Sequence, residues 1–376
     1  MTSVIWFQKA HENRNDLLRY GFMKLHTLGK IGYAEYPIIT SQDSGFSDKF
    51  VSNEYPHVSI ITVNDGPRTI RCLIDSEDSF FWMCPLISEV DCYFCAGYNS
   101  DFFLRKQMFT PYVWQTPADL GFYYRRADEL ISALGSYFGA VTKFVPIGPN
   151  MTSGPLKSAT RQRWRNLKHK LHAFQSRSVY WGNQFLEFEA RYSEMLSLRQ
   201  SRLRYDIVLH DTLWGWPHHR VNLHRKLAEV SQKCRIHSTL NWSDPVDYDG
   251  SKNNPCMPSD FPMQTRPIVD YESMLASSRL AVFATGFHWG WRSIMAFALM
   301  VGLPIYMDRP VLEPWFDMNK FIIFWNEKGD WQDLSHHLND VTDEKWQCIK
   351  KHNQFRYDEV MAPECVASYV IERALG

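Results

Sequence analysis

Residues 270–325 read DYESMLASSRLAVFATGFHWGWRSIMAFALMVGLPIYMDRPVLEPWFDMNKFIIFW, in which helical and strand-like patterns alternate. A short helix leads into the apolar run 280–284, and a glycine-containing turn with one arginine, Arg292, follows. A second apolar helix over 293–301 then precedes a short strand over 305–307. This order predicts two consecutive strand–helix steps of a parallel α/β layer.

The turn between the first strand and the second helix contains Gly286 and Gly290. Ligands of open α/β sheets bind at the carboxyl ends of the strands, and the backbone N–H groups at a helix start favour phosphate. Arg292 stands at the predicted helix start, where a guanidinium can pair bidentately with phosphate. The turn therefore predicts an anion site in which Ser293 and the backbone of Gly286 assist Arg292. The alternative is a surface arginine, which the helix dipole disfavours at this position.

Composition limits the classes of protein that this chain can belong to. Its 376 residues are enough for about two domains, and its hydrophobic content of 45% is ordinary for globular cores. Lys+Arg and Asp+Glu are both 41, so the formal net charge is zero. A general nucleic-acid binder normally carries a basic excess, so we expect no nucleic-acid partner. The aromatic content of 15% suits aromatic-rich cores or a site whose flat rings pack on sugars.

Cysteine usage and the N-terminus point to a reducing compartment. Cys92 and Cys95 form a lone C-x-x-C in an apolar run, and no second pair stands at zinc-site spacing. We therefore expect buried reduced thiols and no metal ion. The first residues lack the charged-then-apolar pattern of a signal peptide. We expect a cytoplasmic protein whose membrane contact, where there is any, is peripheral.

Another strand–helix–strand unit lies before residues 270–325 in the chain. A clean strand over 204–210 opens into a polar loop that begins with Asp211 and ends with Arg220, and a helix and another strand follow. We interpret Arg220 as a further phosphate contact at the same sheet edge. Upstream, the basic stretch 157–177 reads as a solvated helix face or, alternatively, as a patch that faces an anionic membrane or acceptor.

The quoted segment resembles the donor half of GT-B glycosyltransferases, most closely the exostosin-like ones. There a helix of the type Tyr271-x-x-x-Leu275-x-x-Ser278-Arg279 runs into a buried strand, and a glycine-containing loop, an arginine, a helix and Gly-x-Pro-Ile follow. The resemblance implies two Rossmann-like domains with an interdomain cleft and a C-terminal helix that crosses back. We expect an acceptor-side domain over 1–190, a nucleotide-sugar-binding domain over 204–355 and the returning helix over 356–376.

The resemblance also implies an enzyme of polysaccharide biosynthesis. It would transfer a sugar from a nucleotide-activated donor to a glycan or lipid-linked saccharide, without a metal ion and with inversion. Two other hypotheses remain open. One is a transferase of keto-deoxy sugars that uses a donor activated by cytidine monophosphate, and the other is a non-catalytic carbohydrate-binding protein on the same fold.

Several residues receive donor-binding roles from this resemblance. His288 is a candidate to bond phosphate or base, and Trp289 is a candidate to cover the nucleotide. Family members usually carry a Glu three or four residues after the arginine, suited to the ribose hydroxyls, but Met295 and Ala296 stand there in this chain. The carboxylates that could replace it, or assist in the neighbouring loop, are Asp308, Glu313 and Asp211.

The general base is expected in the first domain. A carboxylate at a strand end can accept the acceptor's proton when it is partly desolvated. Asp78 is the first choice, with Asp75 and Glu77 next, because the run 75–78 ends a predicted strand. The alternative for these side chains is turn formation and helix capping.

Overall fold

The structure is a computed structural model of the 376-residue chain. It describes residues 1–8, 14–37, 46, 57–77, 79–144, 148–151, 164, 167, 171, 179–213, 215–241 and 268–376. The chain divides into two compact units. The first comprises Met1–Tyr98, Ser136–Met195 and Asp358–Gly376, and the second comprises Asn99–Gly135 and Leu196–Tyr357.

The elements of the first unit build one sheet and the helices beside it. The described strands are β1 (Ser3–Gln8), β2 (Gly32–Pro37), β3 (Val58–Asp65), β4 (Arg68–Asp75), β5 (Cys92–Cys95) and β6 (Val141–Lys143). The first helix is α1 (Asp16–Thr27). The helices α2 (Ser100–Arg105) and α3 (Pro117–Leu134) lie in the second unit, and α4 (Gly182–Ser197) returns to the first.

The remaining elements belong mostly to the second unit. The strands are β7 (Tyr205–Thr212), β8 (Ile236–Asn241), β9 (Ser278–Phe283), β10 (Ile305–Met307) and β11 (Ile323–Trp325). The helices are α5 (Pro217–Ser231), α6 (Tyr271–Ala276), α7 (Ser293–Val301), α8 (Leu334–Asp340), α9 (Asp343–Val360) and α10 (Pro363–Leu375). Helix α10 lies within the first unit.

The first sheet is mixed, with the strand order β2-β1-β3-β4-β5-β6. Strand β3 runs antiparallel to β1 and to β4, while β1 pairs with β2, β4 with β5 and β5 with β6 in parallel. The pair β3–β4 is the hairpin that its short spacing requires, and Asp65 faces Arg68 across the turn. The other strands all run in one direction, so the carboxyl ends of β1, β4 and β5 meet at one edge.

The second sheet is parallel throughout, with the order β8-β7-β9-β10-β11. Numbered within the unit, this is the 2-1-3-4-5 order of doubly wound α/β sheets. Leu280, Val282 and Phe283 of β9 are fully buried, which is typical of a parallel strand covered on both faces. From β7 the chain continues to β8, toward one edge of the sheet, and from β9 it continues to β10, toward the other edge. A topological switch point therefore lies between β7 and β9.

The local predictions for residues 270–325 are confirmed. The sequence predicted helix, strand, helix and strand there, and the structure has α6, β9, α7 and β10 in that order. The α/β class is confirmed for both units. One assignment differs, because residues 99–135 belong to the second unit, whereas the sequence placed them in a first domain over 1–190.

Helix α10 packs against α1 inside the first unit. Lys24 of α1 forms an ion pair with Glu364 of α10. A Cβ at Gly21 would lie 2.0 Å from the backbone oxygen of Pro363, so the two helix backbones approach closely enough to require glycine. This packing joins the C-terminal residues to the N-terminal ones.

Two further observations bear on the expected environment. The seven cysteines in the described part of the chain are free thiols, and Cys92 and Cys95 are buried in β5. Among the described helices, none combines the length and apolar character that a membrane crossing needs.

Candidate functional site

The candidate site lies at the carboxyl ends of β7 and β9, on the two sides of the switch point. Open α/β sheets bind their ligands at this place because the loops after the two strands diverge and leave a crevice. Strand β7 ends with Asp211 and Thr212, and β9 leads into the loop 284–292 before α7. Every residue of this site belongs to the second unit.

Two guanidinium groups meet on one buried carboxylate at the end of β7. Asp211 is 1% exposed, and its Oδ1 accepts hydrogen bonds from Nη1 of Arg220 and from Nη2 of Arg292, the latter at 2.9 Å. Its Oδ2 is buried and has no hydrogen-bond partner among the residues that the structure describes. Burial opposes the ionisation of Asp211, but Arg220 and Arg292 outweigh it and lower the carboxyl pKa. Two positive charges therefore share one negative charge.

Arg220 is almost wholly engaged by the protein. Besides Asp211, its Nε donates to the carbonyl oxygen of Gly215 at 3.0 Å and its Nη2 to that of Thr285 at 3.0 Å. The residue is 4% exposed. Arg220 thus ties the loop after β7 to the loop after β9, which makes it a positioning group and differs from the phosphate contact that the sequence predicted.

Arg292 keeps part of its side chain exposed. Its Nη1 donates to the carbonyl oxygen of Ala284 at 3.2 Å, and its guanidinium lies 5.6 Å from the ring centroid of Phe283. The side chain is 17% exposed. Arg292 is also the N-cap residue of α7, and its side chain makes no capping hydrogen bond. The guanidinium and the positive end of the helix dipole therefore lie together.

A small pocket opens beside this arginine. Its roughly 290 Å³ of empty space includes open solvent, and the enclosed room is that of about one water molecule. Most of its lining is apolar or aromatic, and the polar groups come from Arg292 and the loop backbone. The lining residues are Phe283, Ala284, Thr285, Gly286, Trp289, Gly290, Trp291, Arg292, Met295, Met307 and Pro310.

The loop 286–290 has a strained backbone that its surroundings hold in place. His288 and Trp289 have φ angles of 50° and 63°, which only a few per cent of non-glycine residues adopt. A Cβ at Gly286 would lie 2.2 Å from the carbonyl oxygen of Gly290, so the loop closes tightly on itself. Strain of this kind persists where packing over-determines it and is common at ligand sites.

Side chains from 115–123 and from the start of α5 supply that packing. Trp289 donates from Nε1 to Oε1 of Gln115 at 3.2 Å, and His288 Nδ1 lies 2.6 Å from the hydroxyl of Tyr123. Trp216 donates from Nε1 to the carbonyl oxygen of Gly286 at 3.0 Å. Burial lowers the pKa of His288 to about 3, so its imidazole is neutral and is not a source of positive charge for the pocket.

The predicted ribose-binding carboxylates have partners within the protein. Asp308 is fully buried, and it accepts hydrogen bonds from His219 at 2.8 Å, the backbone N–H of Thr285 at 2.9 Å and Asn326 at 2.9 Å. With no exposed surface it does not reach a ligand in this conformation, and instead it fixes the start of the loop after β9. Glu313 accepts from the backbone N–H and the hydroxyl of Ser100, at 2.7 and 2.6 Å.

The predicted acid–base residues lie at the carboxyl end of β4, in the first unit. Asp75 is 2% exposed and accepts hydrogen bonds from the Tyr93 hydroxyl and, at 2.9 Å, from the backbone N–H of Glu77. Burial raises the pKa of Asp75 to about 7. Glu77 Oε2 lies 3.3 Å from Nε2 of His57. Asp78 lies outside the described residues.

The sequence missed the groups that hold the loop from a distance. Gln115, Tyr123 and Trp216 carry no motif, and Tyr123 is 165 residues from His288. The backbone start of α7 and Gly286 lie where the sequence placed them, beside Arg292. Ser293 is the first residue of α7. Across the described residues, no three His, Cys, Asp or Glu side chains cluster as metal ligands would.

Comparison of the chain with protein-family models gives no match, and comparison with curated proteins gives none either.

Replacing Asp211 tests the shared ion pair. We expect Asp211→Asn to lower the free energy of unfolding by about 3–5 kcal/mol, because it leaves two guanidiniums without their carboxylate in a buried place. Glu327→Gln is the matched control, since Glu327 pairs with Arg309 at an exposed position and should cost at most about 1 kcal/mol. Urea unfolding measures both. If both substitutions lowered the free energy of unfolding by the same small amount, the buried ion pairs of Asp211 would stabilise the protein no more than an exposed one.

The raised pKa of Asp75 predicts a pH-dependent difference in stability. The unfolded carboxyl has a pKa of about 3.9 and the folded one about 7, so the folded protein binds this proton more tightly. Its contribution to stability is present below about pH 4 and is lost as the pH rises through 7. The free energy of unfolding of Asp75→Asn, relative to that of wild type, should therefore rise by roughly 1–3 kcal/mol from acidic to mildly alkaline pH. Urea unfolding across this pH range gives the comparison, and a difference that does not change with pH contradicts the assignment.

Proposed function

We propose that this protein is a glycosyltransferase that moves a sugar from a nucleotide-activated donor to a glycan or lipid-linked saccharide. The observation that carries the proposal is the side chain of Arg292, which is 17% exposed, binds Asp211 and lines a pocket at the switch point.

The charge of the site favours a phosphorylated ligand. Arg220 and Arg292 share the single carboxylate of Asp211, and burial lowers the pKa of the nearby His224 to about 4, so this imidazole is neutral. Among Asp211, Arg220 and Arg292 one positive charge is left over beside the start of α7, and the carboxylate of Asp308 offsets part of it at Arg220. A diphosphate leaving group carries the negative charge that such a site stabilises, and stabilising it lowers the barrier to its departure.

The pocket lining favours a ligand with flat or apolar faces beside its phosphates. Phe283, Trp289 and Trp291 present aromatic surface, and Pro310 adds an apolar wall. Nucleobases stack on such surfaces, and the C–H faces of sugars pack against them. A mostly apolar lining with a few directed polar groups is typical of small-molecule sites, and this pocket must widen to admit a nucleotide.

The finer fold assignment, GT-B, is part of the same proposal. Three features support it. The second unit is doubly wound with the strand order 2-1-3-4-5, the first unit is an α/β unit with a sheet of its own, and the last helix, α10, belongs to the first unit. These features agree with the resemblance of residues 270–325 to the donor half of that fold.

The proposed reaction also needs a proton acceptor, and the carboxylates at the end of β4 are the candidates for it. Asp75 is buried and bound to the Tyr93 hydroxyl, which suits a structural role, so Glu77 with its neighbour His57 is the better candidate for the base. The base would take the proton of the acceptor hydroxyl, whose oxygen bonds to the anomeric carbon as the bond to phosphate breaks. The negative charge on the departing phosphate would be held by Arg292 and the start of α7.

One observation favours a second candidate, a carbohydrate-binding protein without catalysis. Met295 lines the pocket and is 2% exposed, at a position where the resembling enzymes carry a ribose-binding Glu. A donor activated as a cytidine monophosphate is the related alternative within the same class of enzyme. A measurement of nucleotide binding distinguishes the carbohydrate-binding protein from the two kinds of transferase, because a pure glycan binder has no use for a phosphate site.

Nucleotide binding tests the proposal directly. Isothermal titration with UDP, GDP and CMP should show binding of one of them to wild type. Arg292→Ala should weaken it roughly 10- to 100-fold, since a charge-assisted phosphate contact is worth about 1.5–3 kcal/mol. Arg292→Lys should fall between the two, because it keeps the charge and loses the planar fork.

The control variant is Arg235→Ala. Arg235 belongs to the same unit but precedes β8, at the opposite edge of the sheet, and its side chain is 59% exposed. It should bind nucleotide as wild type does. Absence of nucleotide binding by wild type, or wild-type affinity in Arg292→Ala, would overturn the proposed donor site.

A further inference from the structure

Three large apolar side chains of the first unit are exposed and follow one another at helical spacing. Trp164, Leu167 and Leu171 each have helical backbone, and they are 62%, 48% and 54% exposed. Their spacing of three and four residues places them on one face of a helix. We call these three residues the 164–171 stripe. A soluble protein normally turns such a stripe toward its core, so its exposure needs a reason.

All the charged residues in the sequence around the stripe are basic. Between Glu129 and Glu187 the chain contains no Asp and no Glu. Each residue of the stripe also has a Lys or Arg directly beside it in the sequence. The basic residues of this acid-free segment are Lys143, Lys157, Arg161, Arg163, Arg165, Lys168, Lys170 and Arg177. Since the whole chain has a formal net charge of zero, this excess is local.

More exposed apolar side chains belong to the same acid-free segment. Tyr137, Tyr180 and Leu186 are 43%, 40% and 62% exposed. Exposed aromatic and aliphatic side chains thus coincide, along the chain, with the part that has the greatest basic excess. Two independent properties, charge and exposed apolar side chains, therefore single out the same part of the sequence.

We propose that the 164–171 stripe docks on the surface of an anionic lipid bilayer. Trp164, Leu167 and Leu171 enter the headgroup region, and the neighbouring Lys and Arg residues attract the lipid phosphates. Apolar residues on one helical face combined with Lys and Arg around them are the features of helices that lie in the membrane interface. Each basic residue near an anionic surface adds about 1 kcal/mol of attraction.

Charge and chemistry favour this partner over two others. A second copy of the chain would bring the same positive charge to the contact, and like charges oppose association. A nucleic acid would satisfy the Lys and Arg residues, but its phosphates would leave Leu167 and Leu171 exposed. Membrane docking stands on the stripe alone and holds whether or not the pocket of the second unit binds nucleotide.

Vesicle sedimentation of the full-length protein tests the proposal. Wild type should sediment with vesicles of phosphatidylcholine that contain roughly one third phosphatidylglycerol, and binding should fall with added salt because salt screens the attraction. It should bind vesicles of phosphatidylcholine alone at least tenfold more weakly. The triple variant Trp164→Ser, Leu167→Ser, Leu171→Ser should lose at least tenfold in binding to the anionic vesicles.

The matched control replaces three exposed apolar side chains of the second unit, Leu104, Val113 and Phe355, which are 73%, 77% and 58% exposed. Leu104→Ser, Val113→Ser, Phe355→Ser should bind vesicles as wild type does. Circular dichroism and the thermal midpoint check that each variant is folded. If the triple stripe variant does not fold, Trp164→Ala alone and Lys168→Glu, Lys170→Glu should each reduce binding at least threefold.

Three results would overturn the proposal. One is absence of wild-type binding to the anionic vesicles, and another is wild-type binding in the folded stripe variants. The third is that wild type does not bind vesicles but binds RNA, or self-associates in sedimentation velocity, and that the stripe variants abolish this RNA binding or self-association.

Discussion

The candidate site depends on one carboxylate that two guanidiniums share. Asp211 ends β7, Arg220 comes from α5 and Arg292 stands at the start of α7, so their ion pairs bring three elements to one point. Arg220 also bonds to the backbone of both loops that leave the switch point. Because one carboxylate does not neutralise two guanidiniums, this cluster of three side chains has a positive charge of its own. That charge, and its fixed position, are the basis of the proposed phosphate binding.

The loop after β9 is fixed before a ligand binds. Its strained residues His288 and Trp289 are held by Tyr123 and Gln115, and Asp308 holds the N–H of Thr285. A site whose groups already point at the charge that develops during a reaction does not have to reorganise at that moment. The buried aromatic contacts of this unit therefore keep the backbone of the loop that leads to Arg292 in place.

The local elements of the fold were predictable and the long-range contacts were not. The order α6, β9, α7, β10 follows from apolar runs and glycine positions within about 40 residues. Arg292 could be singled out because glycine, arginine and helix start are adjacent in the chain. By contrast, His219 binds Asp308 across 89 residues and Glu313 binds Ser100 across 213. The place of residues 99–135 in the second unit rests on contacts of the same kind, which no local pattern encodes.

The central claim is that the positive charge left over at Asp211 receives a phosphate. A crystal structure of the protein with the nucleotide that binds most tightly is the most direct measurement. The account predicts phosphate oxygens within hydrogen-bond distance of the Arg292 guanidinium and of the first backbone N–H groups of α7, with Asp211 still bound to both arginines. A nucleotide bound elsewhere in the chain, with Arg292 making only the contacts it has without ligand, would contradict it.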